Sequence, residues 1–320
     1  VTPTRLRAEL RGRHGIWITL TGLPLPLTPD AYRVERWDGA AVKVTQVLPQ
    51  AEAAALLVTD DALDLGEVYY ARVPGENLRA RARHDGLWRD LVSDKPLGAE
   101  IAGDSTTFRL FSPRATRITL FLYDDRDAAP GAGAVATHEL RQDAEGVWEV
   151  VLPGDLHGAW YDFRVYGPAG PGSRFYGTHP VHVTDPYARV SDDGWGKARV
   201  WHRTTPAPPV KGGRPAMESV IAYEVHVQDF TDALPVAEEL KGTFAAMGMS
   251  GLTNSRGAKI GFDHLVGLGV NVVHLMPVQE FLHYPDSLWQ ASFSADPYMK
   301  EQGVARENYQ WGYRTTHAFA

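Results

Sequence analysis

Val270-Asn271-Val272-Val273-His274-Leu275-Met276-Pro277 is a nearly unbroken apolar, β-branched run closed by a proline. Its length and composition predict a strand apolar on both faces, as in a parallel sheet or barrel. Immediately upstream, Phe262, Leu265 and Val266 recur at helical spacing, and Gly269 stops that helix. Further upstream, Val220-Ile221-Ala222-Tyr223-Glu224-Val225 is a second apolar run. Strand, crossover helix and strand make a βαβ unit, which implies parallel pairing.

In sheets of this kind ligands bind at the carboxyl ends of the strands. The stretch after Met276 carries Gln279, His283, Tyr284, Trp289, Phe293, Tyr298, Tyr309, Trp311 and Tyr313. It reads as a connection without obvious structure, far longer than most, and such loops are usually functional or disordered. Tyr and Trp supply flat apolar faces with a hydrogen-bonding edge, as sugar rings require. The alternative is that these aromatics anchor the loop. His226 and His274 fall on the predicted strands and read as structural hydrogen-bonding residues. Glu224 shares a face with His226 by alternation, and a carboxylate on a buried strand needs a partner.

The preceding sequence changes period. Ile16–Leu20, Tyr32–Trp37, Val42–Val47 and Val68–Val73 are short β-rich runs, with Asp38-Gly39 a hairpin-type turn and Leu23–Pro29 a proline break. Thr107–Phe111, Arg117–Tyr123, Gly146–Pro153 and Trp160–Gly167 form a second set, interrupted by an Ala/Gly/Pro loop over 128–136. Residues 202–215 are rich in Pro, Gly and Thr and read as a linker. The predicted organisation is an accessory β domain over 1–92, a β-sandwich module over 97–201, a linker over 202–215 and an α/β segment over 216–320. Trp17, Trp37, Trp88, Trp148 and Trp160 compete between core and ligand platform; alternation favours core for Trp148 and Trp160.

A hydrophobic fraction of 44% with 22% charged residues is that of a folded globular chain, which excludes a disordered or membrane-embedded class. The net charge of −7 argues against a nucleic-acid or anionic-membrane surface and suits a neutral substrate. With no cysteine there is no disulfide or thiolate metal site. The N-terminus lacks the apolar core of a signal peptide, so a cytoplasmic location is expected. No His-Glu-x-x-His, calcium loop, phosphate loop or serine elbow is present, and no metal or cofactor is expected. Asp60-Asp61 and Asp124-Asp125-Arg126-Asp127 read as solvated turns.

Several segments resemble one family. Tyr309-Gln310-Trp311-Gly312-Tyr313 resembles the Tyr-Asn-Trp-Gly-Tyr-Asp-Pro signature of type I pullulanases. Ser219–Thr231 resembles their first barrel strand, and Lys241-Gly242-Thr243-Phe244 and His274–Val278 fall where that family has similar segments. The implied parent is the α-amylase superfamily, glycoside hydrolase family 13. Leu97-Gly98-Ala99, Phe108–Ala115, Gly158–Phe163 and Asp185-Pro186-Tyr187-Ala188 resemble the family 48 carbohydrate-binding module that precedes the barrel in debranching and branching enzymes. The chain departs from the signature at Gln310 and at Arg314-Thr315, and Trp311-Gly312-Tyr313-x-Thr315 with Phe319 also resembles isoamylase-type enzymes.

The resemblance implies a multidomain fold: two N-terminal all-β, immunoglobulin-like sandwich domains, then the first part of a (β/α)8 TIM barrel. It implies a debranching hydrolase acting on α-1,6-glucosidic bonds of an α-glucan such as glycogen, starch, pullulan or a maltooligosaccharide. Tyr309, Trp311 and Tyr313 are the implied substrate-binding residues, with Tyr309 stacking beside the scissile bond. Such enzymes use two carboxylates about 5–5.5 Å apart. The Asp-x-x-x-Asn-His signature that should follow is absent, and residues 216–320 are too few for a barrel of about 250. Residues 1–320 are therefore expected to be an inactive N-terminal portion. The partial barrel is expected to expose apolar surface, left disordered or covered by a partner. A non-catalytic glucan-binding protein and an isoamylase-like or branching enzyme are the alternatives.

Overall fold

The computed structural model describes residues 3–89, 91–171, 182–192, 196–203, 206–283, 288–301, 308 and 311–320. It is predominantly β and divides into two compact units, Val1–Asp185 with Lys197–Trp201, and Pro186–Gly196 with His202–Ala320.

The first unit opens with β1 (Arg5–Leu10), β2 (Gly15–Thr21), β3 (Arg33–Arg36), β4 (Ala41–Val42), β5 (Val44–Ala51), β6 (Ala54–Thr59), β7 (Tyr69–Val73) and β8 (Leu78–Arg83). They join in the order β4-β3-β7-β8-β1-β2-β6-β5. Period-2 alternation sends Leu6, Ala8, Leu10, Ile16, Ile18, Leu20, Val34, Leu57, Tyr69 and Ala71 into one core. Asp38-Gly39 turns the β3–β4 hairpin as the composition predicts, with Gly39 at φ 92°. β1 and β8 are additional strands whose alternating arginines and small apolar residues make the pattern, Arg-Leu-Arg-Ala-Glu-Leu and Leu-Arg-Ala-Arg-Ala-Arg.

The same unit continues with β9 (Gly98–Ala102), β10 (Ser105–Phe111), β11 (Arg117–Tyr123), β12 (Ala136–Glu139), β13 (Arg141–Gln142), β14 (Val147–Pro153), β15 (Trp160–Tyr166), β16 (His182–Val183) and β17 (Ala198–Arg199). One sheet runs β13-β14-β10-β9; the other runs β12-β11-β15-β16, with β17 also on β15. The two meet through Phe108 and Tyr161, whose rings stand edge to face at 5.0 Å. Trp148 is core, its indole N–H donating to the Ser112 carbonyl at 2.8 Å. Trp160 is half-buried. The Trp88 side chain lies outside the described residues.

In the second unit β18 (Ala222–Val225) pairs in parallel with β19 (Val272–Leu275), with Glu224 opposite His274. Between them lie α1 (Val227–Asp232), α2 (Phe244–Met247) and α3 (Phe262–Gly267), and Gly269 follows α3 at φ 78°. Asn271 fastens the start of the pair: its amide donates to Ser219 O at 2.7 Å and its oxygen accepts from Ile221 N–H at 2.8 Å.

Three expectations need correction here. β18 ends at Val225, so His226 is not a strand residue but the N-cap of α1, accepting from the Asp229 N–H. The strands are not buried on both faces: Tyr223 and Val273 are 43% and 40% exposed, because two strands alone cannot cover each other's faces. The stretch after Met276 is not structureless, since it holds β20 (Glu280–Phe281), α4 (Trp289–Ala295), α5 (Pro297–Glu301) and β21 (Thr315–His317). Among the described residues, no helix is long and apolar enough to cross a membrane.

Candidate functional site

The C-terminal aromatics are seated by a glycine. Gly312 has φ +75°, and a Cβ there would strike the carbonyl oxygen of Pro277. Pro277 lies two residues past the end of β19, so this backbone contact sets the Trp-Gly-Tyr segment just beyond the carboxyl end of the second parallel strand. Antiparallel β20–β21 pairing fixes the approach, helped by Leu282 N–H to Arg314 O at 2.8 Å and Glu280 N–H to Ala320 O at 2.7 Å. Trp311 and Tyr313 flank the glycine and are 53% and 58% exposed. Tyr187 and Phe319, both of this unit, stack at 5.3 Å with 14° between the rings. Tyr309, Gln310 and Tyr284 lie outside the described residues. Trp289 and Phe293 pack edge to face on each other along α4, with ring centroids 5.9 Å apart.

The strand ends below carry polar groups with defined partners. His274 Nδ1 lies 3.2 Å from the Glu224 carboxylate on the neighbouring strand, but both side chains are exposed, so the expectation of a buried carboxylate in need of a partner is not met. Thr231 is fully buried. Its hydroxyl donates to Val227 O at 2.9 Å and accepts the Gly242 N–H at 2.7 Å. That bond joins the segment 219–231 to the segment 241–244, where Thr243 caps α2 by accepting from Ala246 N–H. Among the described residues there is no cluster of His, Cys, Asp or Glu able to hold a metal ion.

The first unit offers a second aromatic surface. The Arg199 guanidinium lies 5.1 Å from the ring centroids of both Trp160 and Trp201, and His157 lies 4.3 Å from Trp201. Arg199 and Trp201 were missed from sequence; the legible signal was the alternation of Ala198-Arg199-Val200-Trp201 ahead of the proline-rich stretch. Farther along the same strand face the protein covers itself. Arg164 approaches His182 Nε2 at 2.7 Å, and arginine only donates, so Nε2 accepts and Nδ1–H donates to Asp162 at 2.9 Å. The Tyr123 hydroxyl contacts both Asp162 oxygens and accepts the Gly131 N–H at 2.8 Å. Lys197 donates to the carbonyls of Arg126 and Ala128. Burial raises the Asp162 carboxyl above its ordinary pKa, against the pull of His182. The 124–134 loop is thereby closed onto the sheet, leaving Trp160 and Trp201 as its partly open aromatic edge.

The carbohydrate-binding module 48 (isoamylase N-terminal domain) family matches residues 96–188. A curated relative, the glycogen debranching enzyme of Yersinia pseudotuberculosis serotype IB (strain PB1/+), is 27% identical over 253 residues, covering 71% of this chain and 33% of the relative. The solved pullulanase from Bacillus acidopullulyticus has a TM-score of 0.61 at 17% identity, over 86% of this chain and 47% of that one. The type I pullulanase from Bacillus subtilis strain 168, solved with maltose, has a TM-score of 0.54 at 20% identity, over 88% of this chain and 39% of that one. These findings bear out the resemblance read from the motifs: residues 96–188 match a carbohydrate-binding module family, and the chain is similar to the N-terminal part of debranching enzymes. It spans about a third of the length of the curated relatives it matches.

Proposed function

We propose that this chain is the glucan-binding N-terminal portion of an α-glucan debranching hydrolase acting on α-1,6-glucosidic bonds by a retaining two-carboxylate mechanism. In this reading the two β regions are immunoglobulin-like sandwiches, and residues 216–320 begin a (β/α)8 barrel whose later strands carry the carboxylates. Tyr309, Trp311 and Tyr313 form one wall of the sugar site, and the partner is a glycogen-, starch- or pullulan-type glucan. The observation that carries it is Gly312 packed on Pro277, which holds two exposed aromatic rings beyond the carboxyl end of a parallel strand.

The test is affinity electrophoresis of residues 1–320 in glycogen-containing gels, with pullulan turnover measured alongside. Retardation that weakens on Trp311→Ala or Tyr313→Ala, without turnover, is the expected result. A stacked sugar is worth of order 1 kcal/mol per aromatic ring, so each change should weaken binding severalfold. Measurable pullulan hydrolysis would refute the inactivity of residues 1–320. Retardation untouched by either substitution would move glucan binding to the Trp160–Trp201 edge.

A further inference from the structure

Three arginines stand in one cross-strand row on the first β region. Arg33 of β3 lies directly opposite Arg72 of β7, and Arg72 lies directly opposite Arg79 of β8. Residues directly opposite on neighbouring strands share a face, and like charges so placed destabilise a sheet. A single carboxylate, Glu35, lies among them with its side chain 8% exposed. Arg72 grips it at 2.7 Å, while Arg79 and Arg33 stand 3.5 and 3.6 Å away. Arg79 is also laid over the Tyr70 ring at 3.5 Å, which fixes its plane.

Three guanidiniums against one carboxylate leave two positive charges uncompensated. The arginine side chains remain 40–59% exposed, so their free donors face solvent. This occurs on a chain whose net charge is −7. A neutral glucan hydroxyl needs no such concentration of charge, and Glu35 alone needs no more than one arginine. Guanidinium forks match the oxygens of a phosphate group, and a monoester dianion carries the complementary charge.

We propose that the Arg33–Arg72–Arg79 row, held in place by Glu35 and Tyr70, is a binding site for a phosphate monoester. The carrier that fits the rest of the chain is a phosphorylated glucan. That choice of carrier rests on the glucan-binding reading above, whereas the phosphate site itself does not.

The experiment titrates inorganic phosphate and glucose 6-phosphate into the intact chain by calorimetry. It then compares retardation in gels of phosphorylated amylopectin and of the same amylopectin after enzymatic dephosphorylation. Saturable phosphate binding is expected, weakened about tenfold by Arg79→Ala and by Arg33→Ala. Arg79→Lys, which keeps the charge but not the fork, should fall between. Lys95→Ala, the same charge change in the second β region beside Asp143, should have no effect. Stronger retardation by the phosphorylated gel supports the glucan carrier; phosphate binding with equal retardation in both gels leaves a free phosphate ester as ligand. No retardation in either gel would sink the glucan reading while leaving the phosphate result standing. No saturable phosphate binding, equal affinity in Arg79→Ala and Arg33→Ala, or preference for duplex DNA over every phosphate probe would overturn the site.

Discussion

Gly312 has no freedom to be anything else. An alanine there meets both a left-handed backbone angle and the Pro277 carbonyl. Gly312→Ala should cost roughly 1–3 kcal/mol locally. The amides of Glu280 and Leu282 should then exchange faster with solvent, because their bonds to Ala320 and Arg314 depend on that seat. Thr231→Val keeps the shape but strands the Gly242 N–H, which costs about 1–3 kcal/mol, whereas Thr231→Ser retains the hydroxyl and should recover most of it. Thermal unfolding of the three proteins checks this. His84 supplies a pH dependence. Burial first, and the Arg114 charge second, lower its pKa to about 4 from an unfolded value near 6.5. The folded state therefore resists a proton that the unfolded state accepts. Its contribution is complete above pH 6.5 and is lost as pH falls towards 4, by at most about 1.4 kcal/mol per unit. Denaturant melts at pH 7 and 5 should separate wild type from His84→Gln, with the variant losing less stability on acidification.

At the scale of elements, the β18–β19 pair is held by backbone bonds and by Asn271, which bridges Ser219 and Ile221. Asn271→Ala removes both side-chain bonds at the strand entrance and should cost about 1–2 kcal/mol, read as faster hydrogen exchange at Ile221 and Val272. The βαβ pattern was legible because apolar runs, a helical period and Gly269 agree on it. Helices α4 and α5 were not, because Ala, Ser and aromatic residues over 289–301 carry no clear amphipathic period. His226 was misjudged for a related reason. Alternation continues on paper past Val225, but the chain turns into α1 there, and the imidazole becomes a cap.

At the scale of the molecule, the two units differ in how well they bury themselves. The first holds most of the buried hydrophobics. The second buries Ala188, Val225, Val227, Leu234, Ala246 and Leu265, yet exposes Ile221, Tyr223, Phe244, Phe262, Val266 and Val273. The barrel reading proposed above accounts for exposed apolar surface of this density. Limited trypsin digestion should therefore cut at Lys211, Lys241 or Arg256 well before the β unit over 3–185 is lost. Equal resistance of the two units would contradict that expectation.

Periodicity and punctuation alone determined the β-rich first two thirds and the parallel βαβ unit after them, and residue type alone marked the aromatic cluster at the end. These follow from local chemistry: side-chain alternation, proline and glycine stops, and residue type. The tertiary structure decided which rings are open: alternation favours core for both Trp148 and Trp160, but only Trp148 is covered, while Trp160 stays half-buried. It also decided that Arg33, Arg72 and Arg79 stand in one row. Their register is set by pairing between strands distant in sequence, which no local pattern encodes.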